Sequence, residues 1–467
     1  MNAPCTTVVT LVAILAATAT LAPRASAQDL LPKGAPEARA VVLQNAIVHT
    51  MDRGTLIGGT VWFQDGILRA VLSPGEKLKL PDGTEALWID ATQKHIYPGL
   101  IAAHSQLGLI EVGAVRQTVD TDELNDQSPE AIARTAFNPD SAAIPVTRTN
   151  GVLVACVFPI GGELPGRASV MQLDGWTNAD MTVLGEAGVV VDWPALPDPI
   201  SRRGRNLRRQ GPPGLPGAAL VTAAGDDRDP EAAVKKERQR LDETFARAKN
   251  WHEQKASDAN TPPDLQAQAL GAALRGERPV FVLADDLEEI ESALSWTQSR
   301  SLRTVLVGGR DALLCIELLR ERDVPVILTG VHKLPARDDG DYDTAFALPA
   351  QLAAHGIRFC IATGEEFAHE RNLPYHAATA AAFGLDRERA MAAITRDAAD
   401  ILGVGDKLGT LTVGKQATLL VTDGNPLDLT TKVERAWIGG REVDLRNKQT
   451  ELAKKYRQKY AQLPPAK

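Results

Sequence analysis

The chain has 467 residues, a formal net charge of −8 and few aromatic side chains, 4% of the total. This length allows two or three domains with a large core. The acidic balance, with a pI near 5.6, argues against a nucleic-acid or anionic-membrane partner for the chain as a whole.

The N-terminal segment predicts export to the periplasm or the cell exterior. Residues 8–22 form an apolar run that is short for a bilayer span, and Ala25, Ser26 and Ala27 supply the small side chains that signal peptidases require. We therefore expect a signal peptide over residues 1–27, with a retained anchor as the alternative. No later run is long and apolar enough to span a membrane, so we expect no stable membrane anchor after cleavage.

The cysteines predict buried thiols. Cys5 leaves with the signal peptide, whereas Cys156, Cys315 and Cys360 are far apart and surrounded by apolar residues. Three cysteines cannot all pair, and their spacing matches neither a disulfide framework nor a zinc site.

Two β-rich regions flank the middle of the chain. Short strands joined by Gly, Asp and Pro turns are predicted over residues 38–95, and a similar pattern of short strands and turns occurs over residues 406–445. This pattern predicts a small composite β-sandwich domain built from both termini. A polar helix or tail follows over residues 446–467.

The middle of the chain, residues 96–405, alternates apolar runs with helical segments. Eight continuous apolar runs read as strands buried on both faces: 95–104, 151–159, 167–175, 187–194, 278–286, 303–309, 324–330 and 357–364. This number favours an α/β fold of the (β/α)8 barrel type over an open sheet.

A charged insertion interrupts the barrel over about 195–260. Its segment 201–217 is rich in Arg and Pro and predicts a solvated loop. The helix that follows carries Val234, Leu241, Phe245 and Ala248 on one narrow stripe, which predicts packing against the barrel wall.

Two motifs resemble the amidohydrolase superfamily. The stretch YPGLIAAHSQLGL (97–109) is similar to its P-G-x-I-D-x-H-x-H strand, and DKLGTLTVGKQATLLVTDGNPLDL (406–429) is similar to its G-x-x-x-x-G-x-x-A-D-x-x-x-x-D stretch. The likeness covers nearly the whole mature chain and resembles imidazolonepropionase-like members most. It implies hydrolysis of non-peptide or cyclic C–N bonds by water bound to one or two divalent metal ions at the barrel mouth.

The resemblance implies a metal site that most residues of this chain do not match. His104 matches the first ligand of strand one, but the second position is Gln106, and the Asp that usually precedes the pair is Ala102. Glutamine offers a neutral amide oxygen, which is a poor zinc ligand compared with imidazole. His104 is therefore the single candidate metal ligand from this strand.

The other positions implied by the resemblance are also changed. No lysine occurs between Lys94 and Lys235 to serve as the carboxylated ligand, although Glu163, Glu186 and Asp192 lie near strand ends. The positions of the two later histidines and the final aspartate are occupied by Leu283, Gly308 and Gly364.

Three hypotheses follow for the function. The first is a hydrolase with a relocated site, which uses either no cofactor or one divalent ion such as zinc. Its candidate pocket residues are His104, Gln106, Glu111, His332, Glu365, Glu366 and His369. A second hypothesis is a catalytically silent barrel that binds a small molecule or a protein. A third is metal-free acid–base catalysis, with His104 and Glu365 as the catalytic pair. A serine hydrolase is excluded by the lack of a G-x-S-x-G motif.

Overall fold

The computed structural model describes residues 31–196, 229–335, 340–364 and 367–463. The expected signal peptide (1–27), the Arg-rich segment (201–217), and the site candidates Glu365 and Glu366 lie outside the described residues. Signal cleavage and export therefore stay predictions. From Lys33 onward the described residues pack as one compact unit.

Sixteen strands are found in the described residues. In chain order they are β1 (Ala40–His49), β2 (Thr55–Gln64), β3 (Ile67–Leu72), β4 (Ala86–Asp90), β5 (His95–Pro98), β6 (Leu100–Ser105), β7 (Val152–Val157), β8 (Gly166–Gln172), β9 (Thr182–Asp192), β10 (Val280–Ala284), β11 (Thr304–Gly308), β12 (Val326–Thr329), β13 (Phe359–Ala362), β14 (Leu419–Thr422), β15 (Val433–Ile438) and β16 (Arg441–Glu442).

The helices of the described residues lie mainly between the later barrel strands. They are α1 (Ala133–Ala136), α2 (Ala143–Arg148), α3 (Asn178–Met181), α4 (Pro230–Ser257), α5 (Leu265–Leu274), α6 (Leu287–Ser299), α7 (Ile316–Glu321), α8 (Thr344–Ala354), α9 (Leu373–Ala382), α10 (Arg387–Ala393), α11 (Arg396–Ile401) and α12 (Lys448–Ala461). Short 3-10 helices cover Arg116–Thr118, Ala312–Cys315 and Phe367–Asn372.

Strands β6 to β13 form a sheet in sequential order, and the last strand lies beside the first. Each of the eight apolar runs identified in the sequence contributes one strand. The strands are buried on both faces because helices cover the outside while side chains fill the inside. The predicted fold class, an α/β barrel with a small sheet domain from both termini, is confirmed.

One strand departs from a regular (β/α)8 pattern. Strand β8 runs antiparallel to both β7 and β9, whereas the other neighbouring pairs of the barrel are parallel. The connecting segments 158–165 and 173–181 are too short for a parallel crossover, which needs about a dozen residues or more. Strand β8, the third strand of the barrel, therefore forms an antiparallel meander with β7 and β9.

The barrel interior is a packed core. Phe158, Phe281 and Ile327 lie in it together with Cys156 and Cys360, and all five are fully buried. The three cysteines within the described residues are free and buried, as the sequence predicts. Burial raises the pKa of the Cys315 thiol to about 11, and raises the pKa values of the other two further.

The charged helix α4 packs against the barrel along a narrow stripe. Leu241, Phe245 and Ala248 are buried as predicted, and Thr244 joins them, whereas Val234 is only partly buried. The stripe is shorter than the sequence suggests because the first turns of the helix remain largely exposed.

Both ends of the chain contribute to the second sheet. Its strand order is β16-β15-β14-β5-β1-β2-β3, and β4 pairs with the first half of β1 while β5 pairs with its second half. The C-terminal strand β14 pairs with β5, which leads through Gly99 directly into the first barrel strand. The sheet domain and the barrel are therefore joined at the Tyr97-Pro98-Gly99 turn, while the exact domain boundaries stay predictions.

A buried ion pair connects the barrel to both terminal segments. Arg148 Nη1 donates to Asp174 Oδ1 at 2.7 Å, and their side chains are 4% and 0% exposed. The Gly34 N–H donates to the other carboxylate oxygen, and Arg441 donates to the Asp174 carbonyl. Arg148 also donates to the Asp444 carbonyl. The charges are thus compensated by hydrogen bonds from several segments.

We expect Asp174→Asn to lower the free energy of unfolding by about 3–5 kcal/mol, because it leaves the Arg148 guanidinium buried without a countercharge. Urea unfolding measures this change. Asp323→Asn is the matched control, since the Arg358–Asp323 pair is exposed, and it should cost at most about 1 kcal/mol. Equal costs for the two variants would contradict the assigned role of the buried pair.

Two histidines of the sheet domain face each other across β1 and β5. His49 Nε2 lies 2.9 Å from His95 Nδ1, and its ring stacks on Tyr97 with centroids 4.1 Å apart. Burial and the neighbouring His95 lower the pKa of His49 to about 4, and burial also lowers the pKa of His95. His49 is therefore kept neutral in the folded protein near pH 6, and burial shifts the pKa of His95 in the same direction.

This arrangement predicts acid sensitivity. An unfolded His49 titrates near 6.5, so the unfolded chain binds more protons than the folded chain between about pH 4 and 6.5, and stability falls as the pH is lowered through this window. We expect His49 to account for about 1–2 kcal/mol of that loss, after allowance for solvent screening at a partly exposed site.

Urea unfolding at several pH values between 4.5 and 7.5 tests this expectation. His49→Gln should give a flatter profile than the natural chain, whereas His355→Gln, at an exposed histidine, should not change its slope. Parallel profiles for the natural chain and His49→Gln would show that His49 is not the source.

Candidate functional site

The carboxyl ends of the parallel barrel strands define a mouth, and His104 lies within it. His104 is near the end of β6, is 5% exposed, and has its ring centroid 4.7 Å from that of Phe158. Phe158 in turn contacts Phe281 edge-to-face at 5.0 Å. The imidazole therefore rests on an aromatic layer that forms the top of the barrel core.

Acidic side chains follow the neighbouring strands β10 and β11, where they satisfy backbone groups. Asp286 and Glu289 form a capping box at the start of α6, and Glu289 also accepts from the Asp285 N–H at 2.8 Å. Asp311 accepts from the Leu287 N–H. Because N-terminal helix N–H groups need acceptors, these carboxylates are part of the loop structure of the mouth.

A second polar cluster lies where β12 and β13 end. The rings of His332 and His376 have centroids 4.0 Å apart, and the Val331 N–H donates to His376 Nδ1 at 3.1 Å. His332 Nε2 lies 2.8 Å from Thr379 Oγ1. Because Nδ1 of His376 accepts a hydrogen bond, neutral His376 carries its proton on Nε2.

A buried glutamate and a lysine belong to the same region. Glu370 is 1% exposed and accepts a hydrogen bond from Thr363 Oγ1 at 3.0 Å. Lys333 Nζ donates to Thr329 Oγ1 at 2.9 Å. The end of the barrel between its seventh and eighth strands therefore combines imidazoles, a carboxylate and an ammonium group that can exchange protons and bind polar ligands.

Sequence reasoning missed His376 and Glu370. His376 lies in the alanine-rich helix α9 and resembles a core residue, whereas Glu370 lies in a 3-10 helix after the last barrel strand. The available signal was position, since both residues follow the eighth strand closely. Only the folded arrangement brings His376 against His332, which the sequence did select.

The other sequence candidates are placed as follows. Gln106 comes directly after β6 and is half-buried. Glu111 accepts hydrogen bonds from Asn138 and from the Ala142 N–H, so it supports a loop. His369 is exposed in the 3-10 helix Phe367–Asn372.

Two of the three acidic residues that were considered as replacements for the bridging lysine form ion pairs with arginines, and the third, Asp192, is the last residue of β9. Glu163 is 3% exposed and contacts Arg240 of α4, and burial raises the pKa of its carboxyl group. Glu186 forms a 2.7 Å ion pair with Arg167. Within residues 31–196, 229–335, 340–364 and 367–463, no three His, Cys, Asp or Glu side chains form a group that could hold a metal ion.

Glycines at the ends of β12 and β13 bring the two backbones into close contact. Gly364 has φ of 62°, and a Cβ added there would lie 1.9 Å from the Thr329 carbonyl oxygen. Gly330 has φ of 89°, and its added Cβ would lie 2.0 Å from the Thr363 carbonyl oxygen. Neither position has space for a side chain of any kind.

Comparisons with known proteins agree on one family. The amidohydrolase family model matches residues 316–449. A curated relative from Hapsidospora irregularis, the amidohydrolase tasK, is 22% identical over 431 residues, which cover 86% of this chain and 43% of that protein. The chain thus spans less than half the length of this relative.

Solved structures agree with this result. An amidohydrolase from Thermotoga maritima MSB8 superposes with a TM-score of 0.71 and 25% identity, covering 87% of this chain and 100% of that one. A Xaa-Pro dipeptidase with bound methionine superposes with a TM-score of 0.51 and 13% identity, over 87% and 100% of the two chains, and shows the shared fold alone.

The chain is similar to the amidohydrolase superfamily in sequence and in fold, and the proteins that it resembles include hydrolases. These comparisons do not distinguish imidazolonepropionase-like members from other amidohydrolases, so that finer resemblance stays a prediction. No helix in the described part of the chain is long and apolar enough to cross a membrane.

We expect Gly364→Ala to destabilise the fold by more than about 3 kcal/mol, because the new methyl group overlaps the Thr329 carbonyl and φ is positive. Gly75→Ala is the matched control: Gly75 also has positive φ, but its added Cβ would have open space. The control should cost about 1–2 kcal/mol. Urea unfolding compares the two, and equal costs would contradict the close backbone contact.

Proposed function

We propose that this chain is an amidohydrolase-superfamily barrel that binds a small polar molecule at its mouth without the metal-assisted hydrolysis of the family. One observation carries this proposal: the backbone at two implied ligand positions has no space for a ligand side chain. Gly364 occupies the position of the family's final aspartate by resemblance, and its Cβ position is filled by a carbonyl oxygen.

Gly308 supports the same proposal. By resemblance it occupies the position of a family histidine at the end of β11. Its φ is 110°, and an added Cβ would lie 2.7 Å from the Ala284 carbonyl oxygen and 2.6 Å from Asp285 Oδ1. The local backbone is therefore built around glycine, and a single substitution back to histidine would not recreate the family's site.

The remaining positions are equally poor metal ligands. Leu283 has no donor atom, Gln106 has a neutral amide, and Ala102 is fully buried in β6. His104 alone matches the family pattern. These donors do not fit the family's metal centre, and no catalytic step in this proposal passes through a metal ion.

The mouth suits a small ligand that has both an apolar part and hydrogen-bonding groups. Phe158 and Phe281 are buried directly beneath His104 and make the inner side of the mouth apolar, and His104 adds a nitrogen donor or acceptor above them. Lys333, Thr329 and the His332–His376 pair supply polar groups between the last two strands. Amides, cyclic amides and amino-acid derivatives have this combination of groups.

Metal-free hydrolysis of a C–N bond is the second candidate function. The buried position of His104 at a strand end favours it, because an imidazole held at the barrel mouth is a usable general base. In this version His104 would take a proton from the attacking water, with Glu365 as the orienting carboxylate. Glu365 lies outside the described residues, so its place in this pair is a sequence-based proposal.

Elemental analysis after incubation with zinc, manganese and iron tests the proposal. We expect well below one equivalent of tightly bound metal, and the same result for His104→Ala, because one imidazole does not hold a divalent ion tightly. About one equivalent in the natural chain that is lost in His104→Ala would overturn the proposal and support a relocated mononuclear hydrolase site.

Thermal unfolding with a panel of amides, cyclic amides and dipeptides extends this test to the ligand. A compound at 100 times its dissociation constant stabilises the fold by roughly 2.7 kcal/mol, which raises the melting temperature measurably. His104→Ala should abolish the shift, whereas His355→Ala should retain it. Turnover of a stabilising compound by metal-free protein would favour the second candidate function.

A further inference from the structure

Helix α12 is attached to the body of the protein only at its start. Asn447 forms a capping box with Thr450. Its side-chain amide also donates to Thr149 Oγ1 at 2.7 Å, which fixes the root of the helix next to α2. No residue of α12 is buried. A helix of 14 residues is marginal in water by itself, so a surface that covers it would stabilise it.

An apolar and aromatic stripe runs along α12. Leu452, Tyr456 and Tyr460 recur at every fourth residue and therefore share one face of the helix. The two tyrosines are 48% and 65% exposed, and Leu463 beyond the last turn is 53% exposed. The stripe is thus open to a partner along its whole length.

The rest of the helix is strongly basic. Five basic side chains and one acidic side chain lie on it: Lys448, Lys454, Lys455, Arg457, Lys459 and Glu451. The Lys459 ammonium lies 5.8 Å and 5.9 Å from the ring centroids of Tyr456 and Tyr460. Because the whole chain has a net charge of −8, this concentration of positive charge is local and sets α12 apart from the body.

We propose that α12 docks the protein reversibly on an anionic phospholipid surface. Tyrosine rings favour the boundary between headgroups and acyl chains, because the ring is apolar and the hydroxyl remains in water. Lysine and arginine beside them extend their charged ends toward lipid phosphates. A basic helix with an aromatic stripe fits this surface chemistry without the need for a shaped groove.

Two further features agree with this occupant. A second copy of α12 would bring five basic side chains against five more, which disfavours pairing of the helices. Trp176, which is 72% exposed, follows Asp174, the partner of Arg148 beside the helix root. An exposed tryptophan two residues after Asp174 offers another side chain that favours a membrane interface. The proposed contact is peripheral, so it does not require a membrane-spanning helix.

Vesicle co-sedimentation of the full chain tests the proposal. We expect binding to vesicles that contain phosphatidylglycerol, little binding to pure phosphatidylcholine vesicles, and weaker binding as salt rises. The double variant Lys454→Gln/Lys455→Gln should bind about thirtyfold more weakly, since each basic residue near an anionic surface contributes about 1 kcal/mol. Tyr456→Ser/Tyr460→Ser should also bind more weakly.

The matched control is Lys77→Gln/Lys79→Gln, which removes the same charge from an exposed loop of the sheet domain and should bind like the natural chain. Urea unfolding should be the same for all variants, because α12 buries no side chain. Equal affinity for the two vesicle types, or no binding to either, would overturn the proposal. A dimer in sedimentation velocity that Tyr456→Ser/Tyr460→Ser abolishes would instead assign the stripe to a second copy and overturn it too.

Discussion

The buried pair between Arg148 and Asp174 is the constraint on which the arrangement of the two sheets depends. Hydrogen bonds from the surrounding protein offset part of the cost of removing a carboxylate and a guanidinium from water. Here the partners come from Gly34 at the start of the described unit and from Arg441 and Asp444 at its end. Burial lowers the pKa of Arg148, and the nearby carboxylate opposes that effect. The desolvation of one ion pair therefore fixes both terminal segments against the barrel.

The chain keeps the scaffold of the amidohydrolases that it resembles, but the residues at the barrel mouth differ from the metal ligands of that family. The chain superposes on the Thermotoga maritima amidohydrolase over 87% of its length, so the two chains share the overall scaffold. The ends of β12 and β13 have instead adopted a backbone contact that only glycine permits. A fold does not carry a function by itself. The proposed loss of metal-assisted hydrolysis is consistent with this contact, because the two strand ends pack too closely to carry a ligand side chain.

Polar residues at the mouth have two different origins. Glu289, Asp286 and Asp311 are held by helix starts and loop N–H groups, so their positions follow from local hydrogen bonding. The His332–His376 pair arises from a contact between a loop and a helix. This second kind of group connects two elements of the fold, and the proposed ligand recognition depends on it together with His104.

The sequence by itself determined the strands and the two-part organisation. Continuous apolar runs such as 151–159 and 357–364 can be buried only on both faces, and the matching β-rich ends can satisfy their edges only by pairing. The sequence also located His104, because a Pro-Gly turn and an apolar run define the first barrel strand. It identified the departures at Gln106 and Gly364 from the family pattern.

Tertiary structure alone decided the direction of β8, the meeting of His332 with His376, and the pairing of Arg148 with Asp174. Strand direction depends on whether a connection can cross the barrel, and apolar patterning is the same for either direction. The partners of buried charges and imidazoles lie on different elements, so their spacing in the sequence carries no information about their distance. Glycine is required at position 364 because a carbonyl oxygen of the neighbouring strand fills the space of a side chain, and no local sequence pattern indicates that contact.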